Sequence, residues 1–282
     1  MILGKKSLTG KSYPLIMGIA NITPDSFYDG GRYNDLDDAL HHIDGLLSNG
    51  ADIIDIGGES SRPGALPVSE QEEMDRVCPV VEKVVKEFNT IVSVDTYKSG
   101  VADEVLKLGA SMINDISAFE IDERMPEVIA RHDSWIIIMH MKGTPEIMQK
   151  DTNYDDIVND IYLYLEKKVA LAKNFAVNPD KIIIDPGIGF GKNLEDNYVL
   201  IDNIPKFKVI GCPVLIGLSR KSLIGKLYDG DEDRLPATLA LNSIALYNGA
   251  DIIRVHDVHE HYLAIQAIKQ FRRENVINDS NC

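Results

Sequence analysis

The chain is poor in cysteine, tryptophan, positive charge and long apolar runs. Its 282 residues include three cysteines and one tryptophan, and 29 basic residues stand against 44 acidic ones. Cys78, Cys212 and Cys282 show neither metal-site spacing nor an even disulfide framework, so we expect reduced thiols and a cytoplasmic location. The net charge of −15 argues against nucleic acid as a partner. No stretch is long and apolar enough to cross a bilayer, so we expect no membrane partner.

What the sequence does contain is a series of short apolar runs, each ending at a polar residue or a glycine. Apolar runs without alternation predict strands that are buried on both faces, as in parallel sheets. Eight such runs occupy residues 15–20, 52–56, 91–94, 112–113, 135–139, 182–184, 214–218 and 252–253.

Helical periodicity fills the gaps, as in residues 74–88 and 155–175. Strands that alternate with helices predict a single α/β domain over residues 1–282, a (β/α)8 TIM barrel. Residues 1–14 are predicted to lead into it, and residues 274–282 to form a disordered tail. The alternative is a doubly wound open sheet, which favours a Gly-x-Gly-x-x-Gly turn after the first strand. Residues 20–24 lack that turn.

Two connections are long and rich in glycine, proline and serine. Residues 23–33 follow the first strand and residues 57–68 follow the second. Both therefore lie on the catalytic face of a barrel, and we predict that they are lid loops. A third segment, residues 236–247, contains no charged residue. A barrel helix normally has a solvated face, so this segment predicts a homodimer.

In a barrel, the carboxyl ends of the strands meet at one face. The predicted pocket thus brings two kinds of side chain together. Acceptors and amides suit the donor-rich edge of an aminopyrimidine-like ring, and cations suit phosphate or carboxylate groups. The first kind comprises Asn21, Asp95, Asn114 and Asp185; the second comprises Arg62, Lys221, Arg254 and His256.

Residues 187–192, Gly-Ile-Gly-Phe-Gly-Lys, are similar to a phosphate-binding loop. However, Pro186 occupies the position of the first glycine of that motif, and Asn193 replaces its serine or threonine. We interpret the segment as a loop that approaches a flat ligand closely, with Phe190 available to stack.

Seven segments together resemble the signature motifs of the dihydropteroate synthases, a pterin-binding TIM-barrel family. The resemblance covers essentially the whole chain in the correct order. One departure is Ser61, where many members carry threonine, although the hydroxyl is retained. The segments are residues 21–31, 57–64, 93–96, 113–115, 185–192, 219–222 and 254–257.

The resemblance implies a transferase of folate biosynthesis. Such an enzyme condenses 6-hydroxymethyl-7,8-dihydropterin diphosphate with p-aminobenzoate to 7,8-dihydropteroate and pyrophosphate, and sulfonamides compete with p-aminobenzoate. It also implies an SN1-like mechanism and Mg²⁺ as cofactor, with Asn21 as the metal contact. The small-molecule substrates would be the only ligands besides the metal.

The resemblance also implies roles for individual residues. The pterin would be held by Asp95, Asn114, Asp185 and Lys221, with Phe190 beside it. The diphosphate would be met by Ser61, Arg254 and His256. Arg62, Ser219 and Ser222 would border the p-aminobenzoate site, and Phe27 and Asp29 would belong to the closing first loop. The predicted catalytic residues are Asp95, Lys221, Arg254, His256 and Asp29.

Three other functions fit parts of the pattern. A pterin-binding methyltransferase module that handles methyltetrahydrofolate has the same aspartate and asparagine residues at the ends of its strands. Its reaction does not depend on the residue types at 219–222 to the same degree. A class I aldolase would use Lys221 for a Schiff base. An inactive pterin-binding paralogue would lack some of Asn21, Asp95, Asp185, Lys221 and Arg254, all of which are present.

Overall fold

The computed structural model describes residues 2–3, 6–7, 14–23, 32–62, 64–225 and 233–279. The strands are β1 Ile2–Leu3, β2 Lys6–Ser7, β3 Leu15–Asn21, β4 Ile53–Gly57, β5 Ile91–Asp95, β6 Met112–Asp115, β7 Trp135–Met139, β8 Ile182–Asp185, β9 Leu215–Ile216 and β10 Ile252–Val255. The helices are α1 Arg32–Ser48, α2 Glu70–Glu87, α3 Ser99–Lys107, α4 Met125–His132, α5 Ile157–Asn174, α6 Leu194–Asp202, α7 Ile204–Lys208, α8 Ser222–Gly225, α9 Leu235–Tyr247 and α10 Val258–Asp279.

Eight parallel strands form a barrel in the order β8-β7-β6-β5-β4-β3-β10-β9. The barrel closes between β8 and β9, the first and last strands of that order. Ile184 pairs with Val214 there, and the Ile184 N–H donates to the Pro213 carbonyl at 3.0 Å. Each predicted strand is present, with helices between them, so the predicted TIM barrel is confirmed.

The barrel interior is filled by the inward-facing residues of the strands. Because side chains alternate between faces along a strand, the residue two positions after an inward apolar side chain also faces inward. The inward apolar cluster comprises Leu15, Met17, Ile53, Met112, Ile137, Ile183, Leu215 and Ile252. The alternation then places polar side chains at the carboxyl mouth of the barrel: Asn21, Asp55, Asp95, Asn114, Asp185 and Arg254.

The structure describes parts of both ends of the chain. Strands β1 and β2 pair with each other, and the predicted lead-in over residues 1–14 stays a prediction. Helix α10 extends through residues 274–279, so the predicted disorder of that stretch is not seen. Residues 272–274 (Arg-Arg-Glu) are good helix formers and allow the helix to continue. No helix in the described ranges has the length and apolar character needed to cross a membrane.

Candidate active site

Arg254 lies between two aspartates at the mouth of the barrel. Its Nε donates to Asp55 Oδ2 at 2.6 Å, and its Nη2 donates to Asp95 Oδ2 at 2.9 Å. The Asn114 amide donates to the same Asp55 oxygen at 3.1 Å. We call Asp55, Asp95 and Arg254 the mouth cluster. One guanidinium thus serves two carboxylates, and the cluster carries a formal charge of −1 when all three groups are ionised.

Burial and neighbouring charges shift the pKa values of Asp95 and Arg254. Burial raises the pKa of the Asp95 carboxyl to about 7, although the positive charge of Arg254 opposes the shift. Asp55 adds to the rise because two carboxylates share one cation. Despite its own burial, the pKa of Arg254 is raised by the two aspartates, so the guanidinium stays charged.

Asp185 and Lys221 form the next part of the mouth. Asp185 Oδ1 accepts the Gly187 N–H at 2.7 Å, and burial raises the pKa of this carboxyl. The Lys221 ammonium donates to the Ile188 carbonyl and lies 4.4 Å from the centre of the Phe190 ring. Burial lowers the pKa of Lys221 to about 8, against the attraction of Asp185. A cation and an acceptor therefore stand side by side near the mouth cluster.

An apolar wall completes this side of the mouth. Phe190 and Tyr97 pack against a cluster of buried residues, Ile116, Met139, Met141 and Met148. A wall of methionine and aromatic side chains next to directional acids and amides is typical of a pocket for a flat heterocycle. The stacking role of Phe190 stays a prediction.

Ser219 and His256 interact directly beside the mouth. The Ser219 hydroxyl accepts the His256 backbone N–H at 3.1 Å and lies 2.9 Å from His256 Nδ1. The pKa of His256 is lowered to about 4, because the ring is partly withdrawn from water and lies near the charge of Arg254. A neutral ring that accepts at Nδ1 carries its proton on Nε2, where it is available to a ligand. Arg220 points elsewhere, to the Asp257 carboxylate at 2.5 and 2.9 Å.

A second group of two acids and one cation holds the loop after β4, residues 58–69, which we call the second loop. The Lys98 ammonium donates to Glu59 and to Glu73, and the Tyr97 hydroxyl donates to Glu59. Glu59 Oε2 also accepts the Val68 N–H at 3.2 Å, so it links the start of the loop to its end. We call Glu59, Glu73 and Lys98 the loop cluster.

The second loop brings Ser61 and Arg62 to the site. Ser61 lines a small cleft together with Asp95 and Ile116. Arg62 is exposed, and its positive charge contributes to the low pKa of His256. The Gly64 N–H donates to the Pro145 carbonyl at 3.1 Å, which joins this loop to the segment after β7.

The structure gives less detail for the remaining predicted site residues. Asn21 is half-buried at the end of β3, next to Gly57 at the end of β4. Ser222 begins α8, and only its backbone is described. Phe27 and Asp29 lie outside the described residues, so their predicted roles stay predictions.

Two features of the site were missed from the sequence. Asp55 stands inside an apolar run rather than at its end, but its spacing of two from inward-facing Ile53 indicates that it also faces inward. The predicted acids and cations were also treated as separate sets, whereas the structure pairs Arg254 with Asp55 and Asp95. Charge pairing between distant strands leaves no local pattern.

The side chains of the site offer few ligands for the predicted Mg²⁺. No group of three His, Cys, Asp or Glu side chains among the described residues could hold an ion. Mg²⁺, however, is commonly bound through one or two protein oxygens together with substrate phosphates and water. The Asn21 amide oxygen, next to the barrel mouth, is compatible with that arrangement.

Comparison with known proteins agrees with this geometry. The sequence profile of the pterin-binding enzymes matches residues 17–256. The chain therefore belongs to the family of pterin-binding enzymes.

Individual relatives narrow the assignment within that family. Dihydropteroate synthase of Bacillus subtilis is 46% identical over 255 residues, covering 90% of this chain and 87% of the relative. The Escherichia coli enzyme of the same name is 44% identical over 259 residues, covering 92% of each chain. A crystal structure of Yersinia pestis dihydropteroate synthase with a sulfonamide drug has a TM-score of 0.87 at 43% identity, covering 93% of this chain and 95% of that one. These relatives place the chain among the dihydropteroate synthases, which are transferases.

Proposed function

We propose that the chain condenses 6-hydroxymethyl-7,8-dihydropterin diphosphate with p-aminobenzoate, releasing pyrophosphate and 7,8-dihydropteroate for folate synthesis. The observation that carries the proposal is the convergence of Asp95, Asn114, Asp185, Lys221 and Arg254 at one mouth of the barrel. Two similar structures support the choice of substrates. One is a Clostridium difficile dihydropteroate synthase in the presence of pteroic acid, and the other is the Xanthomonas albilineans enzyme with 4-aminobenzoic acid.

Ring recognition is assigned to the acid and amide side chains. Asp185 uses Oδ1 for Gly187, and none of the described residues donates to its Oδ2. That oxygen can accept an N–H of the pterin ring, and a carboxylate out of water makes a strong, directional bond of this kind. The apolar wall then contacts the ring face, with Phe190 on one side.

Bond cleavage is assigned to the cations. The bond between the pterin methylene carbon and the diphosphate oxygen breaks, and its electron pair leaves with pyrophosphate. Arg254 and the Nε2 proton of neutral His256 stabilise the growing negative charge. The carbon is left cationic, and ionised Asp95 stabilises it. Preorganised charge of this kind commonly contributes more to catalysis than any other single effect.

Bond formation needs little from the protein beyond positioning. The lone pair of the p-aminobenzoate amine attacks the cationic carbon, and the nitrogen then loses a proton to solvent. No covalent nucleophile or strong base is required. Arg62 of the second loop, with Ser219 and Ser222, is assigned to orient p-aminobenzoate, and held orientation lowers the entropic part of the barrier.

Mg²⁺ is proposed as the cofactor, held by Asn21 together with the substrate diphosphate. When bound, it would supply additional positive charge to the leaving group. The side chains assigned to contact the diphosphate directly are Ser61, Arg254 and His256.

Release of pyrophosphate tests the proposed function. We expect release that requires both the pterin diphosphate and p-aminobenzoate, and that is inhibited by a sulfonamide in competition with p-aminobenzoate. Release without p-aminobenzoate would indicate a hydrolase. Methyl transfer from methyltetrahydrofolate without pyrophosphate release would favour a methyltransferase module.

A homodimer through α9 is also proposed. This helix contains no charged residue, and Ile244 and Tyr247 are exposed on it, at 48% and 63%. Tyr247 lies 6.4 Å, ring to ring, from exposed Phe271 on α10, so the apolar surface spans both helices. Exposed apolar patches of this kind mark interaction sites. A monomer mass in solution at micromolar concentration would contradict the proposal.

A cytoplasmic location is proposed from the thiols. Cys78 is half-buried and Cys212 is buried, and both are free. Free thiols are typical of reducing compartments. Fractionation of the producing cell would test the location.

A further inference from the structure

Lys192 is a buried lysine that the proposed chemistry does not use. Lys192 is 3% exposed, and its ammonium lies among backbone carbonyls rather than carboxylates. It donates to the carbonyls of Gly187 at 2.8 Å and Phe190 at 2.9 Å, and lies 3.3 Å from the His140 carbonyl. It also lies 3.0 Å from His140 Nδ1.

These contacts explain why residues 187–191, which we call the glycine loop, only superficially resemble a phosphate-binding loop. In a phosphate-binding loop, backbone N–H groups converge on an anion and the lysine reaches the ligand. Here backbone carbonyls converge on a cation, and Lys192 folds back into the loop that it ends. The polarity of the loop is therefore reversed.

His140 fits this arrangement as an acceptor. Burial and the neighbouring Lys192 lower the pKa of His140 to about 2, so its Nδ1 is free to accept. Burial also lowers the pKa of Lys192 well below its usual value. The four acceptor atoms around Nζ suit the three N–H bonds of an ammonium better than the two of a neutral amine.

The glycine loop has little freedom on its other sides. A Cβ on Gly187 would lie 1.9 Å from the His140 carbonyl oxygen, so the two backbones are in direct contact. Gln149 donates to the Gly189 carbonyl at 2.8 Å, and Tyr154 donates to the Gly191 carbonyl at 3.0 Å. Lys192 therefore occupies the centre of a loop whose edges are already held.

The glycine loop in turn sets three groups at the barrel mouth. Gly187 donates to Asp185, the Ile188 carbonyl accepts from Lys221, and Phe190 lies beneath the Lys221 ammonium. We propose that Lys192 is a positioning residue, an internal cation that fixes the glycine loop so that Asp185, Lys221 and Phe190 face the pterin. This inference rests on the proposed function, because it assigns Lys192 to the pterin side of that same site.

The main test replaces Lys192 with Met, which keeps the volume and removes the charge. We expect the affinity for a non-reactive pterin, measured by calorimetry with 6-hydroxymethylpterin, to fall about 10- to 100-fold, the scale of losing hydrogen bonds to a charged group. The KM for the pterin diphosphate should rise similarly, while the KM for p-aminobenzoate changes less than about threefold on that same scale. Equal increases in both KM values, or unchanged pterin affinity, would overturn the proposal.

Lys181→Met is the matched control. Lys181 also bonds a backbone carbonyl, that of Asp133, but at the opposite end of the barrel, next to the start of β8. We expect its pterin affinity to equal that of the unsubstituted chain.

Chemical rescue distinguishes a positioning role of the Lys192 cation from a general contribution of the side chain to stability. In Lys192→Ala, ethylammonium can enter the space left by the side chain and should restore pterin affinity, whereas tetramethylammonium, which has no N–H, should not. Rescue by neither ion would contradict the proposed role.

A measurement on the unsubstituted chain covers the case in which the variants do not fold. The ¹⁵Nζ signal of Lys192 should show slowly exchanging protons and should shift when 6-hydroxymethylpterin binds. A signal indifferent to the ligand would overturn the inference. Absence of condensation by the unsubstituted chain, with the pterin still bound, would instead refute only the proposed function.

Discussion

The mouth cluster and the loop cluster have the same charges but different surroundings. Each places two carboxylates around one cation, and each leaves one buried carboxylate oxygen, Asp55 Oδ1 or Glu73 Oε1, without a partner among the described residues. In the loop cluster, Glu59 also accepts from the Val68 backbone and from Tyr97. In the mouth cluster, the Asn114 amide is the one further donor among the described residues.

The difference shows how one charge pattern serves two purposes. The loop cluster connects α2, the start of α3 and the second loop, so its hydrogen bonds are used within the protein. The mouth cluster lies on the inner surface of the barrel, where the partly accessible side chains of Asp95 and Arg254 can meet a ligand. Burial holds the pKa of the Asp95 carboxyl in the mouth cluster at about 7.

Removal of the mouth cation should have the largest effect. We expect Arg254→Ala to lower kcat/KM by roughly 10²–10³-fold, because it removes one charge-stabilising group from the leaving-group side. Steady-state kinetics would measure this. Arg124→Ala is the control, because Arg124 is exposed and pairs with Asp122 in its own turn. Near-normal turnover of Arg254→Ala would contradict the anion-site assignment.

Removal of the loop cation should affect stability first. Lys98→Met leaves buried Glu73 and half-buried Glu59 without their cation, and such a loss typically costs about 3 kcal/mol. Urea unfolding would measure the change in the free energy of unfolding. Lys86→Met is the control, since Lys86 is 67% exposed and pairs with Glu82 on one helix, a contact worth about 0.5 kcal/mol.

The same Lys98→Met variant sharpens the comparison between the two clusters. Its KM for p-aminobenzoate should rise several-fold, because the second loop carries Arg62, which is assigned to the p-aminobenzoate site. Its affinity for 6-hydroxymethylpterin should not change. A loss of pterin affinity instead would show that the two clusters do not act separately.

Asp185→Asn should mainly weaken pterin binding. The amide keeps the size of the side chain but loses the charge that accepts a ring N–H, a loss of about 1.5–3 kcal/mol. Calorimetry with 6-hydroxymethylpterin would measure it, with exposed Asp180→Asn as the control. Unchanged affinity would rule out the ring-recognition role of Asp185.

The smallest effect expected is a pH dependence of kcat/KM. Asp95 must be ionised to stabilise the cationic carbon, so kcat/KM should rise with pH through about 7. Lys221 loses its proton above about pH 8, so kcat/KM should fall again there. The rise should disappear in Asp95→Asn. A rise of the same midpoint in that variant would assign the ionisation to another group.

Asp95 should affect stability in the opposite direction. Its pKa is raised in the folded chain, so the folded chain binds more protons than the unfolded chain between about pH 4 and pH 7. Stability therefore falls as pH rises across that window and is constant above it. Urea unfolding at pH 5 and pH 7.5 should show a smaller loss in Asp95→Asn than in the unsubstituted chain.

Much of the fold was accessible from the sequence because its signals are local. A buried strand needs only a few adjacent apolar residues, so runs such as 182–184 and 252–253 predicted strands that the structure contains. The predicted strand-tip residues Asp95, Asn114, Asp185 and Arg254 also lie at one mouth. The tail was predicted less well, since helix formation over residues 274–279 has no strong apolar periodicity to indicate it.

By itself, the sequence determined the strands, their inward-facing positions and the kinds of side chain at the barrel mouth, because each depends on residues that are neighbours in the chain. Only the tertiary structure decided which charges meet. Arg254 bonds Asp55 and Asp95 across separations of 199 and 159 residues, and Lys192 turns back into carbonyls rather than toward a phosphate. The physical reason is that electrostatic pairing depends on distance and burial in space, which barrel closure sets.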